Sequence, residues 1–242
     1  MRKIGLLVVS LVISFSAFGQ EIDSTFFQNS RNLCTKFLGI PVDGTRFEVN
    51  QKLKAKGFVR NYDATEHAGF EVLEGEFNGR DVDVYVATDN NKVYRIYLAD
   101  KNPVDETQIK IRFNNLCNQF ENNSKYVNYG DYKIPDDEDI SYEMSVNNKQ
   151  YQAIFYQKFS ESDSMLIAKF FEKELSKQYE NNDTLALSEE SLINIAENFL
   201  SIAFLKLYSN RNVWFTIEEI YGKYYICMYY DNEYNKANGE DL

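Results

Sequence analysis

EVLEGEFNGRDVDVYV, residues 71–86, carries the strongest local signal in the chain. Asn78-Gly79 predicts a two-residue turn between strands, because both central positions of such a turn take positive φ. The turn sets the register, so that Phe77 faces Arg80 and the residues beyond pair outward. Side chains alternate between faces. The core face would carry Leu73, Phe77, Val82, Val84 and Val86, and the other face Glu74, Glu76, Asp81 and Asp83.

The four carboxylates on one face of this hairpin have three interpretations. Like charges directly opposite each other destabilise a sheet by up to about 1 kcal/mol per pair. Arg95, on the next strand, is expected to lie beside Asp83 and offset that cost, which would make this a solvated face. As a metal site, Glu74, Glu76, Asp81 and Asp83 would hold a hard cation such as Ca²⁺. As a catalytic site, two carboxylates about 5 Å apart would suit a retaining glycosidase, but that chemistry needs a cleft.

The hairpin lies within a run of strands that follows a helix. Thr45 and Glu48 form a capping-box pattern ahead of a short helix. Apolar spacing predicts an earlier helix over residues 23–38, and Asp105 opens a later one. The buried stripe of that later helix would be Ile109, Phe113, Leu116, Cys117 and Phe120. The strands are expected at residues 57–62, 70–77, 80–88 and 92–99.

After residue 125 the order of elements starts again. The patterns predict an extended segment, a hairpin, two helices and a last hairpin, at residues 126–134, 140–146 with 149–157, 163–180, 188–208 and 213–231. Strands that follow strands argue against βαβ units and a parallel sheet. The predicted fold class is α+β, with two helix-plus-antiparallel-meander units at 20–122 and 123–242. A degenerate duplication is one interpretation, and one continuous sheet is the alternative to two domains.

The last hairpin, VWFTIEEIYGKYYICMYYD at residues 213–231, is rich in aromatic residues. One face, which must be core, would carry Val213, Phe215, Ile217, Tyr224, Ile226, Met228 and Tyr230. The opposite face would carry Trp214, Thr216, Glu218, Tyr225, Cys227 and Tyr229. Trp and Tyr beside a carboxylate can bind a sugar or anchor a protein, so Trp214, Glu218, Tyr225 and Tyr229 are candidate ligand-binding residues. The alternative is that this face lies under helix 163–180 or 188–208.

The first residues have the features of a secretory signal peptide. Arg2 and Lys3 precede the apolar segment Ile4–Phe15, which is too short to span a membrane, and small residues follow at Ala17 and Gly19. We expect a signal peptide at 1–19 and an exported protein, periplasmic or extracellular. No later segment approaches the roughly 20 apolar residues of a membrane helix.

The chain has three cysteines, Cys34, Cys117 and Cys227. An odd number leaves at least one thiol unpaired in an exported protein. The first interpretation is that all three are buried as small hydrophobic residues. The alternative is a disulfide between Cys34 and Cys117, which are both expected on helices. A catalytic cysteine would want a histidine base, and the single histidine, His67, lies in a loop-like stretch.

The charge balance limits the partners. The chain has 26 basic and 37 acidic residues, a net charge of −11. Without Arg2 and Lys3 the net charge becomes −13, with 24 basic residues against 37 acidic ones. Such a surface repels phosphate backbones and anionic lipids. Nucleic acid is therefore not an expected partner.

Both ends of the chain resemble a known group. LGIPVDGT at 38–45 and KLKAKGF at 52–58 resemble the start of many uncharacterised secreted proteins of gut Bacteroidetes. VWFTIEEIYGKYYICMYYDNEYNKANGEDL at 213–242 resembles the close of the same group. This resemblance implies no activity and no functional residue. The helix-then-meander units are also similar in fold to small periplasmic inhibitor-like and assembly-lipoprotein domains, which is an analogy of fold alone.

Together these observations predict an exported, soluble, non-enzymatic binding protein whose ligand is a protein, a peptide or a glycan. The motivation is the signal peptide, the acidic surface, the isolated histidine and the aromatic strand face. A carboxylate-dependent hydrolase and a structural envelope component are the alternatives. No cofactor is expected, apart from Ca²⁺ if the acidic hairpin binds a metal.

Overall fold

The computed structural model describes residues 33–128, 130–161, 164 and 211–236. Contacts divide the chain into two compact units, Met1–Leu33 with Phe159–Ser209, and Cys34–Lys158 with Asn210–Leu242. Nearly all described residues belong to the second unit, which we call the sheet unit. The predicted signal peptide and the predicted helices at 163–180 and 188–208 lie outside the described residues, Ser164 apart.

The described part of the sheet unit contains ten strands and four α-helices, which confirms the α+β class. The first half comprises β1 (Lys36–Phe37), β2 (Ile40–Pro41), α1 (Arg46–Lys54), β3 (Val59–Asn61), α2 (Tyr62–Ala68), β4 (Val72–Phe77), β5 (Arg80–Asp89) and β6 (Lys92–Asp100). The second half comprises α3 (Glu106–Glu121), β7 (Tyr126–Val127), α4 (Ile140–Val146), β8 (Gln152–Gln157), β9 (Asn212–Ile220) and β10 (Lys223–Asp231), followed by a 3₁₀ turn at Glu233–Asn235.

Eight of the strands form one sheet in the order β3-β4-β5-β6-β10-β9-β8-β7, while β1 and β2 pair separately. All pairings are antiparallel, and β6 and β10 join the two meanders. Strands from both sides of residue 122 therefore belong to one continuous sheet. One continuous sheet is the alternative to two domains that the sequence left open.

The two halves of the sheet repeat one order of elements. Among the described residues, a helix is followed by a strand, a seven-residue helix and three more strands, as α1-β3-α2-β4-β5-β6 and again as α3-β7-α4-β8-β9-β10. Because the last strand of each half pairs antiparallel with the other, an approximate two-fold axis runs between β6 and β10. This order supports the interpretation as a degenerate duplication.

The hairpin of β4 and β5 has the predicted register. Phe77 pairs with Arg80, and further pairs follow outward to Leu73 and Val84. The turn residues take positive φ, 53° at Asn78 and 70° at Gly79. The residues predicted for the core face are buried at Leu73, Val82, Val84 and Val86 and partly buried at Phe77.

Helix α3 covers one face of the sheet. Asp105 caps it by accepting a hydrogen bond from the Gln108 N–H, and all five residues of the predicted stripe are buried. The ring of Phe113 packs edge-on against Phe215 of β9, with 5.1 Å between centroids. Helix α1 has the predicted capping box at Thr45 and Glu48. The core therefore lies between these helices and one face of the sheet.

The predicted helix at 23–38 is wrong over its last residues, and residues 23–32 lie outside the described part. Lys36–Phe37 is a strand that pairs with Ile40–Pro41. The turn between them has φ of 49° at Leu38 and 81° at Gly39. A helix does not admit that backbone, so the glycine at the turn decides the local structure.

The predicted hairpin at 140–157 is wrong in its first strand, because residues 140–146 form α4. Asp139 caps this helix by accepting a hydrogen bond from the Tyr142 N–H. Ile140 and Met144 lie four residues apart and both contact the core. The first half also contains a helix that was not predicted: α2 separates β3 from β4, with Asn61 as its N-cap. The predicted extended segment at 126–134 is a strand only at Tyr126–Val127.

The connection between β8 and β9 is the main difference between the halves. In the first half Asn78-Gly79 joins the corresponding strands, whereas in the second the chain passes through residues 158–211. The Gln157 N–H donates to the Arg211 carbonyl at 3.0 Å, so the connection leaves and re-enters the sheet at adjacent positions. Residues 159–209 also belong to the other compact unit.

We expect that replacing residues 160–208 with Asn-Gly leaves the sheet unit folded. The shorter connection reduces the entropy of loop closure, which favours the hairpin by about 2 kcal/mol. Far-UV circular dichroism and urea unfolding of the shortened chain would show strand structure and one cooperative transition. A matched chain with six Gly and Ser residues in place of 160–208 separates the effect of turn type from that of length. Loss of the cooperative transition in both chains would show that the sheet unit needs residues 160–208 to fold, and would contradict this prediction.

Candidate ligand-binding face

A row of stacked aromatic side chains crosses the sheet on the face opposite α3. Tyr85, Tyr97, Tyr229 and Trp214 lie on the neighbouring strands β5, β6, β10 and β9, and each is the Cα partner of the next. Successive ring centroids are 4.5, 5.7 and 3.9 Å apart, with interplanar angles of 2°, 26° and 13°. We call these four residues the aromatic row. All four side chains are half-buried.

The aromatic row follows the approximate two-fold symmetry of the sheet. Tyr97 and Tyr229 face each other across the boundary between the halves. Outward from them, Tyr85 pairs with Tyr97 and Trp214 pairs with Tyr229. The row is therefore symmetric about the approximate two-fold axis, with Tyr85 and Trp214 in equivalent places.

An ion pair orders one end of the row. The Arg95 guanidinium donates to both carboxylate oxygens of Asp231, at 2.5 and 2.9 Å, and the Trp214 Nε1–H donates to the same carboxylate at 2.8 Å. Arg95 also lies 4.9 Å from the Tyr229 ring centroid and 5.5 Å from that of Trp214. The hydrogen bond with Asp231 raises the pKa of Arg95. These contacts fix the orientation of the indole before any ligand arrives.

A strip of small residues runs beside the aromatic row. Cys227 of β10 is the Cα partner of both Ala99 and Thr216. Beyond this strip, Tyr225 and Glu218 face each other on β10 and β9. The small residues therefore lie between the aromatic row on one side and Tyr225 with Glu218 on the other, which makes a shallow groove.

The groove deepens at its β9 end. A cavity of about 440 Å³ opens there, lined by Met144, Asn148, Lys149, Gln150, Gln152, Trp214, Thr216, Ile217 and Glu218. Glu218 is half-buried, and this burial raises the pKa of its carboxyl. Burial likewise raises the pKa of Tyr225. In the described part of the chain, no recorded hydrogen bond or ion pair holds the Glu218 carboxylate.

The four predicted ligand-binding residues thus share one face. Trp214 and Tyr229 belong to the aromatic row, while Glu218 and Tyr225 form the pair beyond the strip of small residues. Tyr85 and Tyr97 are not among the residues predicted for the site. The pairing of β6 with β10 brings them into the row, and the alternation of each strand alone could not reveal that pairing. The predicted covering helices, 163–180 and 188–208, lie outside the described residues.

The acidic hairpin has a different counter-ion from the predicted one. Arg95 is the Cα partner of Ala87, while Asp83 faces Ala99, so Arg95 does not lie beside Asp83. Arg95 lies near the turn that joins β5 to β6, and Asp83 lies towards the far end of the same pair of strands. Lys101 instead forms an ion pair with Glu74, and its Nζ lies 3.9 Å from Asp83. A lysine ammonium thus offsets the like charges that face each other across β4 and β5.

The metal and hydrolase hypotheses gain no support at this hairpin. Glu76 and Asp81 are exposed, and Lys101 lies among the acids that line a cavity of about 390 Å³. Within residues 33–128, 130–161, 164 and 211–236, no three or more His, Cys, Asp or Glu side chains are grouped to hold a metal ion. The Ca²⁺ site stays a prediction.

Lys101→Ala is expected to lower the free energy of unfolding by about 1 kcal/mol at low ionic strength, because Glu74 and Asp83 then repel each other without a cation. The effect should shrink in 1 M NaCl, where the Debye length is about 3 Å. Urea unfolding at the two salt concentrations measures it, with the exposed Lys223→Ala as the control. Adding Glu74→Gln to Lys101→Ala should restore part of the loss. Equal losses for the two lysines would contradict this role of Lys101.

The cysteines are free and buried in the described structure. The structure contains no bond between Cys34 and Cys117, and Cys34 lies outside a helix. Burial raises the pKa of Cys34 to about 11 and that of Cys117 and Cys227 to about 12. A thiol with a raised pKa is a poor nucleophile at neutral pH. His67 lies exposed on α2, where its Nδ1 is 2.7 Å from the Asp63 carbonyl.

Comparison with family models, with curated proteins and with solved structures finds no match for this chain. The resemblance to secreted proteins of gut Bacteroidetes therefore stays a hypothesis. Among the helices of the described residues, none has the length and apolar character needed to cross a membrane.

Proposed function

We propose that this chain is an exported, non-enzymatic binding protein that holds a protein or peptide segment on the face carrying the aromatic row. The observation that carries the proposal is the row itself: four half-buried rings stacked across four strands. Partly buried aromatic side chains such as tryptophan and tyrosine are typical of the residues that contribute most of the binding energy in protein interfaces. Arg95 and Asp231 order one end of the row in advance, which reduces the entropy lost on binding.

The stacking favours a protein or peptide over a glycan. A sugar packs its C–H groups on the open face of an aromatic ring. Here the ring faces contact one another, as in the 3.9 Å stack of Trp214 on Tyr229. The edges of the rings are left for a ligand, and a ring edge carries the positive part of the quadrupole. Such edges suit carbonyl oxygens and the mixed polar and apolar surface of a polypeptide.

The polar surroundings of the row also suit a polypeptide. Thr216 and Gln152, which are Cα partners, line the deeper end of the groove. Hydroxyl and amide groups of this kind donate to and accept from a peptide backbone. An interface with an aromatic centre and a polar rim is the usual anatomy of protein recognition.

The test is selection of displayed random 15-residue peptides on the full-length chain, followed by affinity measurement. The selected peptides should bind at least 100-fold more weakly to a variant carrying Trp214→Ala and Tyr229→Ala, because each hot-spot ring typically contributes 2 kcal/mol or more. Tyr221→Ala is the matched control, since it removes a 97 % exposed ring from the turn of the same hairpin. Equal binding by the double variant, or no selected peptide at all, would overturn the proposal.

A further inference from the structure

We propose that the groove beside Trp214 takes a lysine or arginine side chain of the bound polypeptide, with the Glu218 carboxylate as its counter-ion. This inference rests on the proposed function, because it assigns one specific contact within the same face. It adds a preference for basic partners that the aromatic row alone does not require.

Of the two charged residues that line the groove, Lys149 and Glu218, only Glu218 has no ion pair with another described residue. Lys149, which also lines the groove, forms an ion pair with Glu138 and lies 5.0 Å from the Tyr151 ring centroid. The remaining lining residues are neutral. A carboxylate that is half-buried without a partner attracts a cation more strongly than one in open water, because water screens it less.

The shape of the groove suits a long basic side chain. Met144 and Trp214 offer apolar contact for an aliphatic stem, as lysine and arginine stems require. Tyr225 faces Glu218 across the strands, so a cation that reaches the carboxylate also comes near this ring. An aromatic ring near a carboxylate is a favourable environment for a cation.

The charge of the whole chain acts in the same direction. With a net charge of −11, it attracts basic partners and speeds their association at low ionic strength. Two other cations on this face are already paired, Arg95 with Asp231 in a bidentate ion pair and Lys101 with Glu74, and therefore repel an incoming base only weakly.

The inference also sets the direction of a pH effect. Burial raises the pKa of Glu218, and the titratable groups around it on this face are Tyr225, Cys227 and Tyr229, with Lys149 in the same cavity. Protonation of Glu218 removes the negative charge that holds the bound base. Affinity for a basic peptide should therefore fall as the pH drops through this raised pKa, and should do so less for Glu218→Gln.

Peptides selected on the wild-type chain should be enriched in Lys or Arg at one position, and those selected on Glu218→Gln should not. A wild-type-selected peptide should bind Glu218→Gln about 10-fold to 100-fold more weakly. Glu219→Gln, an exposed neighbour on the opposite side of β9, should bind it normally. Replacing the peptide lysine with norleucine, which keeps the stem and removes the charge, should weaken binding to wild type and leave binding to Glu218→Gln unchanged.

The outcomes separate this inference from the proposed function. Peptides that need Trp214 but show no basic preference, or that bind Glu218→Gln as well as wild type, overturn the role of Glu218 and leave the aromatic row intact. Peptides that bind independently of Trp214 and Tyr229 overturn the proposed function itself. Circular dichroism of each variant confirms that the sheet is unchanged.

Discussion

Asp231→Ala is expected to lower the free energy of unfolding by about 3 kcal/mol, the low end of the range for breaking a buried ion pair. The side chain of Asp231 is 4 % exposed, whereas that of Arg95 is 24 % exposed. Removing the carboxylate leaves the guanidinium partly buried without a partner and leaves the Trp214 N–H without an acceptor. Urea unfolding followed by circular dichroism measures the loss.

Two further variants separate the parts of this effect. Asp231→Asn keeps an acceptor for the Trp214 N–H but removes the charge, so its loss should be smaller than that of Asp231→Ala. Adding Arg95→Met to Asp231→Ala removes the guanidinium that Asp231→Ala leaves without a partner, and should restore part of the stability. An apolar pair can replace a buried ion pair at little cost in free energy of unfolding. An Asp231→Ala protein that unfolds at the wild-type urea concentration would contradict the structural role of this ion pair.

Phe215→Ala is expected to lower the free energy of unfolding by about 4 kcal/mol, the typical loss for a large ring removed from a core. Phe215 is fully buried, and its ring centroid lies 5.1, 5.7 and 5.9 Å from those of Phe113, Phe120 and Phe155. The ring therefore joins α3 to β8 and β9 in the second half of the sheet unit. The measurement is again urea unfolding.

The neighbouring residue provides the control for this prediction. Trp214 lies next to Phe215 but on the opposite face of β9, where it is half-buried. Trp214→Ala should therefore destabilise the protein less than Phe215→Ala, although it removes the larger side chain. Equal losses would mean that the face carrying the aromatic row is packed as tightly as the core.

Local patterns predicted much of this fold. Asn78-Gly79 determined the register of β4 with β5, because a two-residue turn leaves no freedom in the pairing beyond it. The stripe on α3 and the two faces of the last hairpin were also correct, since each follows from the period of one long element. The seven-residue helices α2 and α4 were missed because two turns are too short for a helical period to stand out from alternation.

The assembled site depends on pairings that the sequence does not reveal locally. Arg95 and Asp231 are separated by 136 residues, and only the pairing of β6 with β10 brings them together. The same pairing adds Tyr85 and Tyr97 to the predicted Trp214 and Tyr229. The register of β5 with β6, which places Ala99 opposite Asp83, explains why Lys101, and not Arg95, neutralises the acidic hairpin. A search for equivalent positions in the two halves would have been the one sequence signal for the full row.

The most direct test of the binding face uses the intrinsic fluorescence of Trp214, the single tryptophan of the chain. The selected peptide, free of tryptophan, is titrated into the wild-type protein while the emission of Trp214 and its quenching by acrylamide are recorded. We expect a saturable change in emission and weaker quenching at the same peptide concentrations that saturate binding by calorimetry. Binding that saturates by calorimetry while the emission and quenching of Trp214 stay constant would contradict a ligand site on the aromatic row.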